Sequence, residues 1–127
     1  MWYTFQYTTF AYSNLKLSTT KLKKDGTLLA YIRVKNTGIR AGDEVVQLYV
    51  RHSKSKVEHP IIELKGFQRV ALKPGETKTV QIPVKAGSLA WWNEKEGGWQ
   101  LEPGPINILI GASSADIRLQ TSIDILP

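Results

Sequence analysis

Residues 43–51 alternate, with Val46, Leu48 and Val50 on one side and Gln47, Tyr49 and Arg51 on the other, the two-residue period of a half-buried strand. Residues 27–35 repeat the pattern. Leu28, Ala30, Ile32 and Val34 share one face, and Leu29 and Tyr31 join Arg33 and Lys35 on the other, so that second face is expected to be partly covered. Further strands are predicted over 10–18, 63–72, 77–84 and 99–101, around Ile106, Ile108 and Ile110, and over 117–125, where Ile117, Leu119, Thr121, Ile123 and Ile125 keep phase. Phe67, Val70 and Leu72, then Val80, Ile82 and Val84, are expected in the core.

Turn residues punctuate these runs. Lys21 to Gly26 reads as a polar connection ending in Asp25-Gly26, and Asn36-Thr37-Gly38 and Arg40-Ala41-Gly42 precede the 43–51 strand. Lys73-Pro74-Gly75-Glu76 closes a hairpin, and Gly111 to Asp116 turns the chain before the last strand. A positive φ is expected at Gly42 and Gly75. The longest polar loop covers 53–60, with His52 and His59 near its ends. No segment of ordinary helix length carries a 3.6-residue period. The chain is read as an all-β, immunoglobulin-like antiparallel β-sandwich of about seven strands.

Composition narrows the function. A chain of 127 residues with 42% hydrophobic positions is sized for one domain and one core, and none of its apolar runs is long enough to span a membrane. No basic head followed by an apolar run marks a secretory leader at the N-terminus. The absence of cysteine excludes disulfides and thiolate metal sites and leaves the compartment undecided. Seventeen basic residues against 11 acidic give a net charge of +6, which reads as dispersed, its densest pieces being Lys21-Leu22-Lys23-Lys24 and residues 51–56. No pattern of interleaved aromatic and basic residues accompanies it, so a nucleic-acid partner is not expected.

Catalytic constellations are sparse. Asp43-Glu44 and Glu94 with Glu96 are the close carboxylate pairs; neighbours in a strand point to opposite faces, and the second pair lies beside Gly97-Gly98, so both pairs read as solvated. Two histidines with Glu58 and Glu63 nearby make a poor zinc site. No nucleophile elbow and no phosphate-cradling glycine loop occurs, and no cofactor is expected.

The wording of several stretches is specific. Asn36-Thr37-Gly38, the run from Ala41 to Val50, Glu63-Leu64-Lys65-Gly66-Phe67 and Leu72-Lys73-Pro74-Gly75-Glu76-Thr77 together resemble the C-terminal fibronectin type III-like domain of glycoside hydrolase family 3, the β-glucosidases and β-xylosidases. Tyr7-Thr8-Thr9-Phe10 with Tyr12-Ser13, and Gly111-Ala112-Ser113-Ser114 with Asp116 to Leu119, extend the resemblance over nearly the whole chain. It implies a fibronectin type III-like sandwich over residues 10–127, with residues 1–9 as the boundary segment where the chain leaves a catalytic domain. It also implies a short helical turn from Ala86 before an aromatic strand, with Ser88 placed as its cap. Thr4-Phe5-Gln6 departs from the family's wording there, and no tyrosine stands at the corner Leu101-Glu102-Pro103-Gly104. The family's catalytic carboxylates belong to preceding domains, so no catalytic residue carries over. The implied role is a non-catalytic module whose partners are the catalytic domains.

Aromatic residues are the candidate binding groups. Trp91, Trp92 and Trp99, with Trp2 and Tyr3 from an N-terminus holding five aromatics in ten residues, suit docking against another domain. The same side chains would suit a carbohydrate-binding module stacking on cellulose, xylan or a lignin-like polymer if their faces reached solvent. Trp91 and Trp92 are adjacent, so at most one of them is expected in the core.

Overall fold

Strands form where the alternation predicts them. The structure, a computed structural model, describes residues 9–52, 62–93, 97–100 and 104–127. Seven long strands, β1 (Phe10–Leu17), β3 (Thr27–Asn36), β4 (Gly42–His52), β5 (Glu63–Leu72), β6 (Thr77–Lys85), β9 (Gly104–Ser113) and β10 (Asp116–Ile125), stand beside three short ones, β2 (Lys21–Leu22), β7 (Trp91–Asn93) and β8 (Gly98–Gln100). They make a three-stranded sheet in the order β1-β3-β6, a five-stranded sheet in the order β2-β10-β9-β4-β5, and the separate pair β7-β8.

The two larger sheets face each other through their apolar sides, because alternate residues of each strand leave water together. Leu28, Ala30, Ile32 and Val34 of β3 and Val80, Ile82 and Val84 of β6 supply one inner face. Val46, Leu48 and Val50 of β4, Ile106, Ile108 and Ile110 of β9, and Ile123 and Ile125 of β10 supply the other. On the outside of β3, Leu29 and Tyr31 are half-buried while Arg33 and Lys35 are exposed, as the mixed second face predicts.

Asn36 ties two connections together at one end of the sandwich. It is fully buried, at 0% exposure. Its Nδ2 donates to the carbonyls of Arg40 (2.8 Å) and Leu72 (3.1 Å), and its Oδ1 accepts from the Gly38 N–H at 2.8 Å. Its backbone N–H donates to Glu76 and its carbonyl accepts from Gly75. A buried polar side chain persists only with its partners in place, and here those partners hold the β3–β4 and β5–β6 connections in register. Gly75 takes φ 78°, a left-handed conformation natural to glycine.

Several positions differ from the alternation reading. Gly42 is not left-handed: it opens β4 in the ladder opposite Leu72. Lys21-Leu22 is not connection but β2, parallel to the end of β10, with Leu22 buried in the core. Gly111 to Ser113 continue β9, and the turn shrinks to Ser114-Ala115; a Cβ on Gly111 would collide with the Asp116 carbonyl, so glycine permits that close approach. Ser88 sits inside the 3₁₀ turn Ala86–Leu89 and not at its cap: Lys85 is the N-cap, and the Ser88 hydroxyl donates back to the Lys85 carbonyl at 2.7 Å. Phe67 is 63% exposed rather than in the core. The β4–β5 register slips between Leu48 and Tyr49, pairing Leu48 with Gly66 and Tyr49 with Leu64. Alternation from Val70 and Leu72 puts Gly66 in the inward phase, against Ile82, and its neighbour Phe67 outward, while the slip turns Leu64 to the same outer face as Phe67.

Candidate docking surface

The adjacent carboxylates of β4 settle into structural pairings. Asp43 and Glu44 diverge as strand neighbours do: Asp43 pairs with Arg69 at 2.7 Å in solvent, and Glu44 accepts from the Tyr12 hydroxyl at 2.9 Å. Among the described residues no three His, Cys, Asp or Glu side chains gather as metal ligands. Glu58, His59, Glu94 and Glu96 lie outside the described residues.

Tyr12 is the most perturbed of these groups. Burial, then the adjacent Glu44 charge, pushes its phenol well above its usual range. The Arg118 guanidinium lies 4.7 Å from the centre of its ring, a cation–π contact that fastens β1 of one sheet to β10 of the other, and pairs with Asp116 on its own strand at 2.9 Å. Hydrogen bonding to Arg118 lowers the carboxyl of Asp116, and the same pairing raises Arg118. This cluster is a clasp between sheets, with its carboxylates already committed.

The candidate tryptophans meet on one hairpin. β7 and β8 pair antiparallel, with Trp91 opposite Gln100, Trp92 opposite Trp99 and Asn93 opposite Gly98. The 3₁₀ turn before them is anchored in the core by Ala86 and Leu89. The hairpin thus collects the backbones of Trp91, Trp92 and Trp99 at one place; the orientation of their side chains, and Trp2 and Tyr3 altogether, lie outside the described residues.

A second apolar feature is absent from the sequence reading. On the outer face of the five-stranded sheet, Tyr49 stands opposite both Leu109 on β9 and Leu64 on β5, with Phe67 opposite the adjacent Gln47. Leu64 and Phe67 are 49% and 63% exposed, and Val45 on the same face is 36% exposed. Tyr49 and Leu109 are nearly buried although they too point away from the core, and the Tyr49 hydroxyl donates to the Gln47 amide oxygen. Single exposed apolar residues are ordinary, but a contiguous row across three strands is the kind of surface that meets another protein. The phase of β5 is the signal that finds it: Phe67 is out of step with Val70 and Leu72 in the sequence itself, whereas Leu64 reaches the outer face only through the slip beside Gly66.

Residues 44–114 match the family model for the fibronectin type III-like domain. The chain is 39% identical over 124 residues to the periplasmic β-glucosidase of Salmonella typhimurium, covering 98% of this chain and 16% of that protein. It is 42% identical over 117 residues to thermostable β-glucosidase B of Acetivibrio thermocellus, covering 92% of this chain and 16% of that one. Among solved structures, β-glucosidase 3B of Thermotoga neapolitana in complex with α-D-glucose superposes with a TM-score of 0.83 at 38% identity, over 93% of this chain and 16% of that one. The chain spans about 16% of the length of these curated relatives.

Proposed function

The chain belongs to the fibronectin type III-like domain family, in the form carried by β-glucosidases of glycoside hydrolase family 3, and from that membership we propose that it is a non-catalytic accessory module that docks against the catalytic domains of a carbohydrate-degrading enzyme and stabilises them. The observation that carries this reading is the outward apolar row of Val45, Leu64 and Phe67 beside Tyr49 and Leu109. A face of that kind gains by covering, since burying apolar surface is worth about 25 cal/mol per Å². The occupant we assign is the remainder of a glycosidase like the relatives, of which this chain matches only 16%. Trp91, Trp92 and Trp99, with Trp2 and Tyr3, are the second half of the proposed contact.

The test adds the chain to a form of Thermotoga neapolitana β-glucosidase 3B lacking its matching segment. A complex at tens of micromolar and a raised melting temperature of the truncated enzyme are expected, with both effects lost for the double variant Leu64→Ser/Phe67→Ser. Those positions are exposed, so the variant chain itself should melt within a few degrees of wild type. Failure of the wild-type chain to bind or stabilise would overturn docking. Hydrolysis of aryl β-glucosides by the chain alone, abolished by Glu44→Gln, would overturn the non-catalytic assignment.

A further inference from the structure

The net charge of +6 is not dispersed once the strands are placed. β1, β3 and β6 lie far apart in sequence but form one sheet, and they contain Lys16, Arg33, Lys35, Lys78 and Lys85 with no aspartate or glutamate. The five-stranded sheet is balanced: Asp43, Glu44, Glu63, Asp116 and Asp124 offset Lys21, Arg51, Lys65, Arg69 and Arg118. Its cations are also largely engaged. Arg69 pairs with Asp43, Lys65 with Glu63 and Arg118 with Asp116, and the Asn107 amide oxygen, suitably oriented, accepts from Arg51 at 3.0 and 3.2 Å.

On the three-stranded sheet the pairing is different. Among the described residues no carboxylate lies within ion-pair distance of Lys16, Arg33, Lys35 or Lys85, and all four are exposed. The acidic residues next to these strands, Asp25 and Glu76, stand in turns at the sheet's ends. Glu76 already accepts from the Lys73 N–H at 2.8 Å and lies 3.9 Å from Lys78.

The outer face has regular rows. Ala11, Lys35 and Thr77 lie side by side across β1, β3 and β6, then Ser13, Arg33 and Thr79, then Lys16, Tyr31 and Gln81. Each row holds one cation, and successive rows stand about 7 Å apart along the strands. Between Ser13 and Lys16 the β1 register shifts, with Asn14 in the left-handed region at φ 53°. A concavity of about 440 Å³ lies beside this bulge, lined by Asn14, Lys16, Tyr31, Arg33 and Thr79. It offers an aromatic ring, two cations, an amide and a hydroxyl, with no carboxylate.

We infer that this face binds a carboxylated polysaccharide, with Arg33, Lys35 and Lys16 meeting successive carboxylates and Tyr31 packing against a sugar ring in the concavity. The side chains favour this ligand over nucleic acid. A nucleic-acid strand asks for dense basic tracking and several stacking aromatics. Here one aromatic faces the concavity, and the remaining groups, an amide and a hydroxyl, suit sugar hydroxyls. The site is on the sheet opposite the proposed docking face, so both surfaces can be occupied at once.

Affinity electrophoresis of the chain through gels containing polygalacturonate, neutral xylan or hydroxyethyl cellulose, with a single-stranded oligothymidylate competitor, tests this. Retardation by polygalacturonate alone is expected, weakening at least tenfold between about 50 and 200 mM salt. Arg33→Gln/Lys35→Gln and Lys16→Gln should each weaken it by about tenfold, a change of 1.4 kcal/mol. Tyr31→Ala should weaken it while leaving the salt slope unchanged, which diffuse attraction would not do. Arg69→Gln on the other sheet should change nothing. Melting curves accompany each variant, and because the substituted lysines sit on different strands, an unfolded variant leaves the other to decide. Equal retardation by neutral xylan, tighter binding of the oligothymidylate, or unaltered binding by the charge variants would overturn the assignment.

Discussion

Replacing Asn36 by alanine should be among the most damaging single changes available in a connection. The substitution deletes two donated hydrogen bonds, to the Arg40 and Leu72 carbonyls, and one accepted from Gly38. At about 1 kcal/mol net for each bond, with the buried bond to Leu72 at the upper end, the loss is about 3 kcal/mol. For a chain of this size that is a fall of about 10 °C in melting temperature. Asn36→Asp sharpens the test, because it keeps the acceptor for the Gly38 N–H but turns a charged oxygen toward two carbonyls. Burial and those carbonyls would raise the aspartate's folded pKa above its unfolded value. Its proton-linked stability is then greatest below about pH 4 and is lost as pH rises through the raised folded value. Urea denaturation of both variants across pH 3.5 to 8 reads this directly. The alanine variant should be uniformly weak, and the aspartate variant should approach or exceed it in stability only in acid. A loss below about 1 kcal/mol for Asn36→Ala, or an aspartate variant whose deficit does not change with pH, would refute the view that this amide holds the turns together.

Gly66→Ala should cost about 1–3 kcal/mol in denaturation, as overpacking does, because its Cβ would stand 2.7 Å from Ile82 Cγ2; Gly87→Ala, built into open space, is the control and should be nearly neutral. Tyr12→Phe tests the clasp between the sheets through pH. Burial and then Glu44 raise the phenol's folded pKa, so its contribution is complete below about pH 10 and is lost as pH rises from there through the raised folded value. Wild type should therefore keep its advantage over the variant up to about pH 10 and lose it progressively as pH rises further toward 12, and parallel stability curves above pH 10 would count against the clasp.

The long strands were legible in the chain because a two-residue period is local: Leu28 to Val34 and Val46 to Val50 announce which side is buried before any partner is known. Gly75 was legible for a similar reason, since a Pro-Gly turn states its own geometry. The family was legible in the wording of residues 36–77, and with it the sandwich.

Other features exist only between segments. β2 is two residues long, too short to show a period, and Leu22 is buried because the end of β10, a hundred positions later, lies beside it. Phe67 reads as a core residue by its hydrophobicity, although alternation from the buried Val70 and Leu72 already sets it outward; Leu64 joins it on that face only through the slip that pairs Leu48 with Gly66 and Tyr49 with Leu64, and a slip of register is a property of two strands together. The same holds for charge. Lys16, Arg33, Lys35 and Lys85 are scattered among acidic residues along the chain, and they form an unopposed face because the topology selects β1, β3 and β6 for one sheet and leaves the acidic strands to the other. Alternation is written residue by residue, whereas faces that meet partners are assembled from strands that hydrogen bonding across the sandwich brings together.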